Sequence, residues 1–238
     1  MTVEKIKKQL LFVKDFIDFR NTSKKDGRFS VLWKDKSRQS FDNTGVTPFD
    51  RHYTYHPAWA IRTVKKINPS LHTDISSILS FSTMLSAFIP VDFYDYRPAD
   101  ITLSGLHSKQ ADLVSLPFKD ESVSSLSCMH TVEHVGLGRY GEPIDPSGDL
   151  KAIDELKRVL AVGGSLLFVV PIGKPKICYN AHRIYSYKQI REYFSELNLK
   201  EFSLIPENSG GIIEHATEEQ ADAENYGCGC FWFTKIKK

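Results

Sequence analysis

The chain has 238 residues, 41% of them hydrophobic and 25% charged, with a formal net charge of +2. This is the balance of an ordinary globular protein, and the near-neutral charge argues against a general nucleic-acid binder. No apolar run approaches the roughly 18–20 residues a membrane helix needs, and "MTVEKIKKQLLFVKDF" lacks the apolar core of a signal peptide, so a cytoplasmic protein is expected.

In chain order, apolar positions at Val3, Ile6, Leu10, Val13 and Ile17 predict a helix over 3–20. "FSVLWKDKSRQSFDNTGVTPFD" is polar, turn-rich and aromatic, and reads as irregular with one short strand. "HPAWAIRTVKKINP" predicts a helix with Pro57 near its first turn, stopped by Asn68-Pro69. An alternation follows. "LHTDISS" is a strand, "ILSFSTMLSAFI" a helix of about three turns, and "VDFYDYR" a second strand. A short third strand falls near Ser104–His107 or Gln110–Leu113, and "SVSSLSCMH" is a fourth. "GDLKAIDELKRVLAVGG" predicts an amphipathic helix with Leu150, Ile153, Leu156 and Leu160 inward and Gly163-Gly164 as its stop. "SLLFVVP" has the continuous apolar character of a strand buried on both faces. "SYKQIREYFSELNL" is a helix with Ser186 as N-cap, and "KEFSLIPE" and "GCGCFWFTKIK" are two last strands. The pattern predicts an α/β fold, a mainly parallel sheet with an antiparallel C-terminal edge (69–238), preceded by a helical and irregular extension (1–68).

"DLVSLPFKDESVSSLSCMHTVEHV", "DELKRVLAVGGSLLFVVP" and "AHRIYSYKQIREYFSELNLKEF" follow one another in the order and spacing seen in the class I S-adenosylmethionine-dependent methyltransferases, type 11-like members above all. The chain resembles that superfamily over about residues 70–238. The resemblance implies a Rossmann-like doubly wound sheet and S-adenosylmethionine as cofactor. An acid ending the second strand would accept hydrogen bonds from the ribose hydroxyls; Asp95 is the candidate and Asp92 the weaker choice. Asp112, before "LPF", would accept the adenine amino group. Asp74 stands at the start of the first loop, where the family has D-x-G-x-G-x-G and this chain has "DISSILSFS". Every glycine is replaced. Ser76 and Ser77 offer hydroxyls instead, and their Cβ atoms bar some backbone angles that glycine takes. His130 flanks the crevice on the cofactor side. His134, Glu133 and His182 are the candidate catalytic bases. Tyr53, Tyr55, His56 and Trp59 would form a substrate wall, suited to a sugar or another small polar acceptor.

Other readings remain open. Asp74 could simply cap a helix, and Asp95 or Asp112 could be plain turn acids. "HTVEH" is an H-x-x-E-H string, but a metalloprotease needs it on a helix, and Gly136, Gly138 and Gly141 oppose one. "HYTYH" pairs His52 with His56 without an evident third ligand. Cys228 and Cys230 alternate with small and large residues, so packing on one strand face is expected and no metal. Met1–Ala60 carries 12 Lys/Arg against 7 Asp/Glu, and Glu201–Asn225 seven acids and no Lys or Arg. Solvated faces are expected, or else a basic segment that meets an anionic substrate. The rival function is a degenerate methyltransferase fold serving as a binding or scaffold protein, or another transferase without the cofactor.

Overall fold

A computed structural model describes residues 3–24, 26–39, 44–208 and 210–237. The chain divides into two compact units, Met1–Phe49 and Asp50–Lys238. In the first, α1 (Val3–Ser23) forms as its spacing predicts, yet buries none of its described side chains. A 3-10 turn at Trp33–Asp35 sets Trp33 edge-on to Phe16, with ring centroids 4.9 Å apart. The short strand expected in this region does not form among the described residues, and positions 40–43 lie outside them.

The second unit opens with α2 (Arg51–Ile67). It begins five residues before the expected start at His56 because the Asp50 carboxylate accepts the Tyr53 N–H and caps the helix there. Pro57 therefore sits inside α2, where it withholds one backbone donor. Asn68 ends the helix in the left-handed region, at φ 53°.

The elements that follow are β1 (His72–Ile75), α3 (Leu79–Leu85), β2 (Val91–Asp95), β3 (Leu106–Gln110), β4 (Val123–Met129), α4 (Gly148–Val159), β5 (Leu160–Ile172), β6 (Lys176–Cys178), β7 (His182–Ile184), α5 (Tyr187–Tyr193), β8 (Asn198–Ile205), α6 (Glu218–Asp222) and β9 (Gly227–Thr234). α3 is shorter than its expected three turns, and β3 straddles its two expected positions. α4 stops at Val159 rather than at the glycines, and β5 starts directly, with Gly163 at φ 79° where the pairing with β4 shifts register. Leu150, expected inward, is 38% exposed. Ala152, Ile153, Leu156 and Val159 make the buried face of α4 instead. Ser186 caps α5 in a reciprocal box with Gln189. The β6–β7 hairpin and α6 have no counterpart in the sequence reading.

Seven strands form one sheet, in the order β3-β2-β1-β4-β5-β9-β8. β1 to β5 run parallel, and β9 is antiparallel to both β5 and β8. This is the expected doubly wound, Rossmann-like α/β class, with the antiparallel strand one place in from the edge. β5 is the axis of the core. Leu166, Phe168 and Val170 face α4 and α5, while Leu167 and Val169 face α2 and α3. All five are fully buried. Among the described residues no helix is long and apolar enough to cross a membrane.

Candidate functional site

Chain order along the sheet reverses between β1 and β4, and their carboxyl ends diverge there to leave a crevice. This is where open α/β sheets bind ligands. Two cavities occupy it. The first, of about 340 Å³, is lined by Ser76 after β1, Asp95 and Tyr96 at the end of β2, Ala111 to Val114 after β3, and His130 and Thr131 after β4. That volume falls in the range of small-molecule sites. The second, of about 430 Å³, is lined by Tyr53, Ser76, Ser77, Met129, His130, Glu133, His134, Arg139, Tyr140, His182 and Tyr226, among others. Ser76, His130, His134 and Tyr140 belong to both walls, so the two spaces meet at the ends of β1 and β4.

The loop after β1 keeps a left-handed turn without glycine. Ser76 lies at φ 55°, an angle that costs a residue with a Cβ about 1–2 kcal/mol. Its N–H donates to Tyr94 O (2.7 Å), and its own carbonyl accepts from the Thr131 hydroxyl (2.9 Å). The expectation that Ser76 and Ser77 turn their hydroxyls toward a ligand needs correction. Ser76 Oγ donates to Tyr94 O, while Ser77 Oγ donates to Asp74 and accepts the Met129 N–H. Both hydroxyls are spent holding the loop to the sheet.

Asp74 lies beneath that loop, fully buried, in the wall of neither cavity. It accepts from the hydroxyls of Ser77, Ser82 and Ser127. Burial pushes its pKa up to about 6, against the pull of those three donors. Asp95 and Asp112 do stand in the wall of the first cavity. Each also closes a turn: Asp95 Oδ1 accepts the Arg97 N–H (2.7 Å), and Asp112 Oδ1 accepts the Val114 N–H (3.1 Å). Asp92 instead pairs with His107 (3.0 Å) and Lys109 (3.1 Å) outside both cavities.

"HTVEH" folds as strand end, sharp turn and one 3-10 turn. His130 takes φ 55°, and Val132–His134 make the 3-10 turn, so its histidines lack the helical face of a metalloprotease motif. Glu133 is buried, and desolvation raises its pKa to about 7, against the opposing pull of His134. Its Oε1 lies 2.9 Å from His130 Nδ1 and 3.8 Å from His134 Nε2. His134 donates through Nδ1–H to Ala181 O (2.6 Å), which leaves Nε2 as the basic nitrogen. Desolvation lowers the pKa of His134 and of His182, so both rings are neutral at pH 7. The His182 ring lies 6.5 Å from that of His134 and 5.0 Å from that of Tyr226.

Of the expected aromatic wall, Tyr53 alone lines either of these two cavities. Trp59 is buried in the core, its Nε1–H donating to Glu201 (3.0 Å), and His56 is wholly buried. Sequence reasoning missed Tyr226, Arg139 and Arg183. Buried Arg183 donates to Val135 O (2.7 Å) and lies 3.4 Å from Asp149, pinning the loop after Glu133. It comes from the unforeseen β7, and a lone arginine beside a histidine gives no periodic signal.

Residues 116–214 match the family model DUF268, described as a Caenorhabditis protein of unknown function. No curated protein matches the chain by sequence. Solved structures of similar fold include the N-methyltransferase NodS from Bradyrhizobium japonicum WM9 in complex with S-adenosyl-L-homocysteine. It is 14% identical with a TM-score of 0.55, covering 84% of this chain and 94% of that one. YcgJ from Bacillus subtilis is 13% identical with a TM-score of 0.54, over 77% of this chain and 99% of that one. The MccD protein is 14% identical with a TM-score of 0.51, over 76% and 99%. Identities this low speak to architecture alone, and on that evidence the chain has the Rossmann-like α/β methyltransferase fold.

Proposed function

We propose that the protein is an S-adenosylmethionine-dependent methyltransferase acting on a small polar acceptor, sugars included. The observation that carries this reading is the first cavity. It gathers the carboxyl ends of the parallel strands β1 to β4, and Asp95 and Asp112 stand in its wall. The fit is chemical as well as spatial. A carboxylate at the end of β2 suits a pair of ribose hydroxyls, the Asp112 carboxylate suits an exocyclic amine, and Ala111, Leu113 and Val114 give an apolar face for a ring. Ser76 supplies the left-handed turn that glycine supplies elsewhere in the superfamily. NodS, of the same fold, was solved with S-adenosyl-L-homocysteine.

When bound, the cofactor supplies an electrophilic methyl group. This chain's residues do the rest. Asp95 and Asp112 fix the ligand at the strand ends. The second cavity takes the acceptor between Tyr53 and Tyr226, with Arg139 at hand for an acidic substituent. His134 Nε2 receives the acceptor's proton, held to that tautomer by the Nδ1–H bond to Ala181 O. Glu133 and His182 tune and orient that base.

Calorimetric titration with S-adenosylhomocysteine tests the reading. Wild type should bind, and Asp95→Ala should weaken binding about 10- to 150-fold, the loss of roughly 1.5–3 kcal/mol for hydrogen bonds to a charged group. Full affinity in Asp95→Ala would remove the ribose assignment. Absence of wild-type binding at millimolar ligand would favour a scaffold built on this fold.

A further inference from the structure

His52, His130 and Cys228 meet beside the second cavity from places that no sequence spacing connects: the first turn of α2, the residue after β4, and the second residue of β9. All three are buried, and one ligand atom from each lies within 4.8 Å of the others. His130 Nε2 is 3.4 Å from Cys228 Sγ. A tetrahedral ion holding an imidazole nitrogen at about 2.05 Å and a thiolate sulfur at about 2.3 Å sets those two atoms about 3.6 Å apart. With every pair within 4.8 Å, no separation in the group has to close by more than about 1.5 Å to meet the same geometry.

The surroundings are those of a ligand set. With Glu133 ionised, His130 donates Nδ1–H to its Oε1 across 2.9 Å, so the lone pair of Nε2 points toward Cys228. A carboxylate behind a histidine is the usual outer partner that fixes a metal-bound imidazole. Glu133 Oε2 and His56 Nε2 are buried without a hydrogen-bond partner. The His52 ring is stacked between those of His130 (5.2 Å) and Tyr226 (4.9 Å), which holds it in place. A divalent ion would neutralise the two negative charges of a Cys228 thiolate and the Glu133 carboxylate. Two imidazoles and one thiolate suit zinc-class ions and not magnesium or calcium, which want oxygen.

We propose that His52, His130 and Cys228 bind one zinc-class divalent ion, with Glu133 as the orienting carboxylate behind His130 and a fourth position left open. Binding ionises the Cys228 thiol, and its proton passes to solvent. The site goes beyond methyl transfer and does not depend on it. It also revises the expectation that the C-x-C is a packing feature only: Cys230, 4.0 Å from Cys228 sulfur to sulfur, stays in the core, while Cys228 is a ligand.

The test uses the untagged full chain, stripped with a chelator and titrated with cobalt(II), then with zinc(II). One cobalt per chain should bind, with tetrahedral visible bands and a near-ultraviolet thiolate-to-cobalt band, and zinc should displace it. Cys228→Ser should lose the near-ultraviolet band while Cys178→Ser keeps it, circular dichroism confirming the fold of each. Glu133→Gln should weaken zinc binding about 10- to 100-fold. If Cys228→Ser fails to fold, wild-type stoichiometry together with His130→Gln and His52→Asn decides, and each of those two should lose at least tenfold in affinity. No cobalt spectrum in wild type, a thiolate band that survives Cys228→Ser, or only substoichiometric uptake shared by every variant would overturn the site.

Discussion

His72 stands on β1 with both ring nitrogens engaged, Nδ1 2.7 Å from Ser125 Oγ and Nε2 2.9 Å from Ser127 Oγ. Full burial lowers its pKa to about 3. Above pH 6.5 the ring is neutral in folded and unfolded chains alike. Below 6.5 the unfolded chain takes the proton first, so the contribution of His72 is lost progressively as pH falls toward 3. Asp74 works the other way, because its raised pKa favours the fold at low pH and that gain is lost as pH climbs from 3.8 to about 6. Replacing His72 isolates its share. We expect His72→Asn to be less stable than wild type at pH 7, with the gap narrowing by up to about 1.4 kcal/mol per pH unit between pH 6 and 4. Urea unfolding at pH 7, 5.5 and 4.5 measures this, and parallel pH profiles for the two chains would refute it. The same residues show what a sequence conceals. The missing glycines were plain to read, but not that Ser76 would adopt the glycine angle anyway. Its strain is offset by bonds to Tyr94 and Thr131, residues 18 and 55 positions away.

The loop after β4 depends on an approach that only glycine permits. Gly136 lies at φ 78°, and a Cβ there would stand 2.0 Å from the Asp145 carbonyl oxygen. Gly141 is left-handed too, at φ 88°, but has open space around it. Gly141→Ala should therefore cost about 1–2 kcal/mol of backbone strain. Gly136→Ala should cost at least about 1–2 kcal/mol more, since backbone must shift. Denaturant midpoints of the two variants check the difference, and equal losses would show that the close approach does not matter. At this scale the sequence was informative wherever apolar period or a cap decided the outcome, as in β1, β2, β4, β5, β9 and the Ser186 box of α5. It failed where contacts distant in sequence decide. α2 starts at Arg51, capped by Asp50, with a buried face that reaches back to His52, and the β6–β7 hairpin is three residues a side, too short for periodicity to show.

At the scale of the molecule, two cores share one sheet, and β5 carries alternate side chains into each. Phe168 lies on the α4 and α5 side, Trp59 on the other. Phe168→Ala should cost about 3–5 kcal/mol. If β5 couples the faces, Trp59 fluorescence should report the full shift, in one transition, although Trp59 belongs to the opposite core. In a Trp33→Phe, Trp232→Phe background, an unmoved Trp59 midpoint would mean that the faces unfold separately. The fold class was legible because strand and helix alternate in local patterns. The second cavity was legible only in part. Glu133 and His134 were identifiable after the fourth strand and His182 in the segment after the fifth, whereas Tyr53, Arg139 and Tyr226 meet them through the order of strands, which no local pattern encodes. That order also constrains the protein's birth. β9 lies between β5 and β8 but is made after both, so a nascent chain that has delivered β8 still has an open slot one strand in from the edge of its sheet. Until Gly227–Thr234 emerges from the ribosome and fills that slot, Tyr226 is missing from the second cavity and Cys228 from its place beside His130, although every wall residue of the first cavity has already been made.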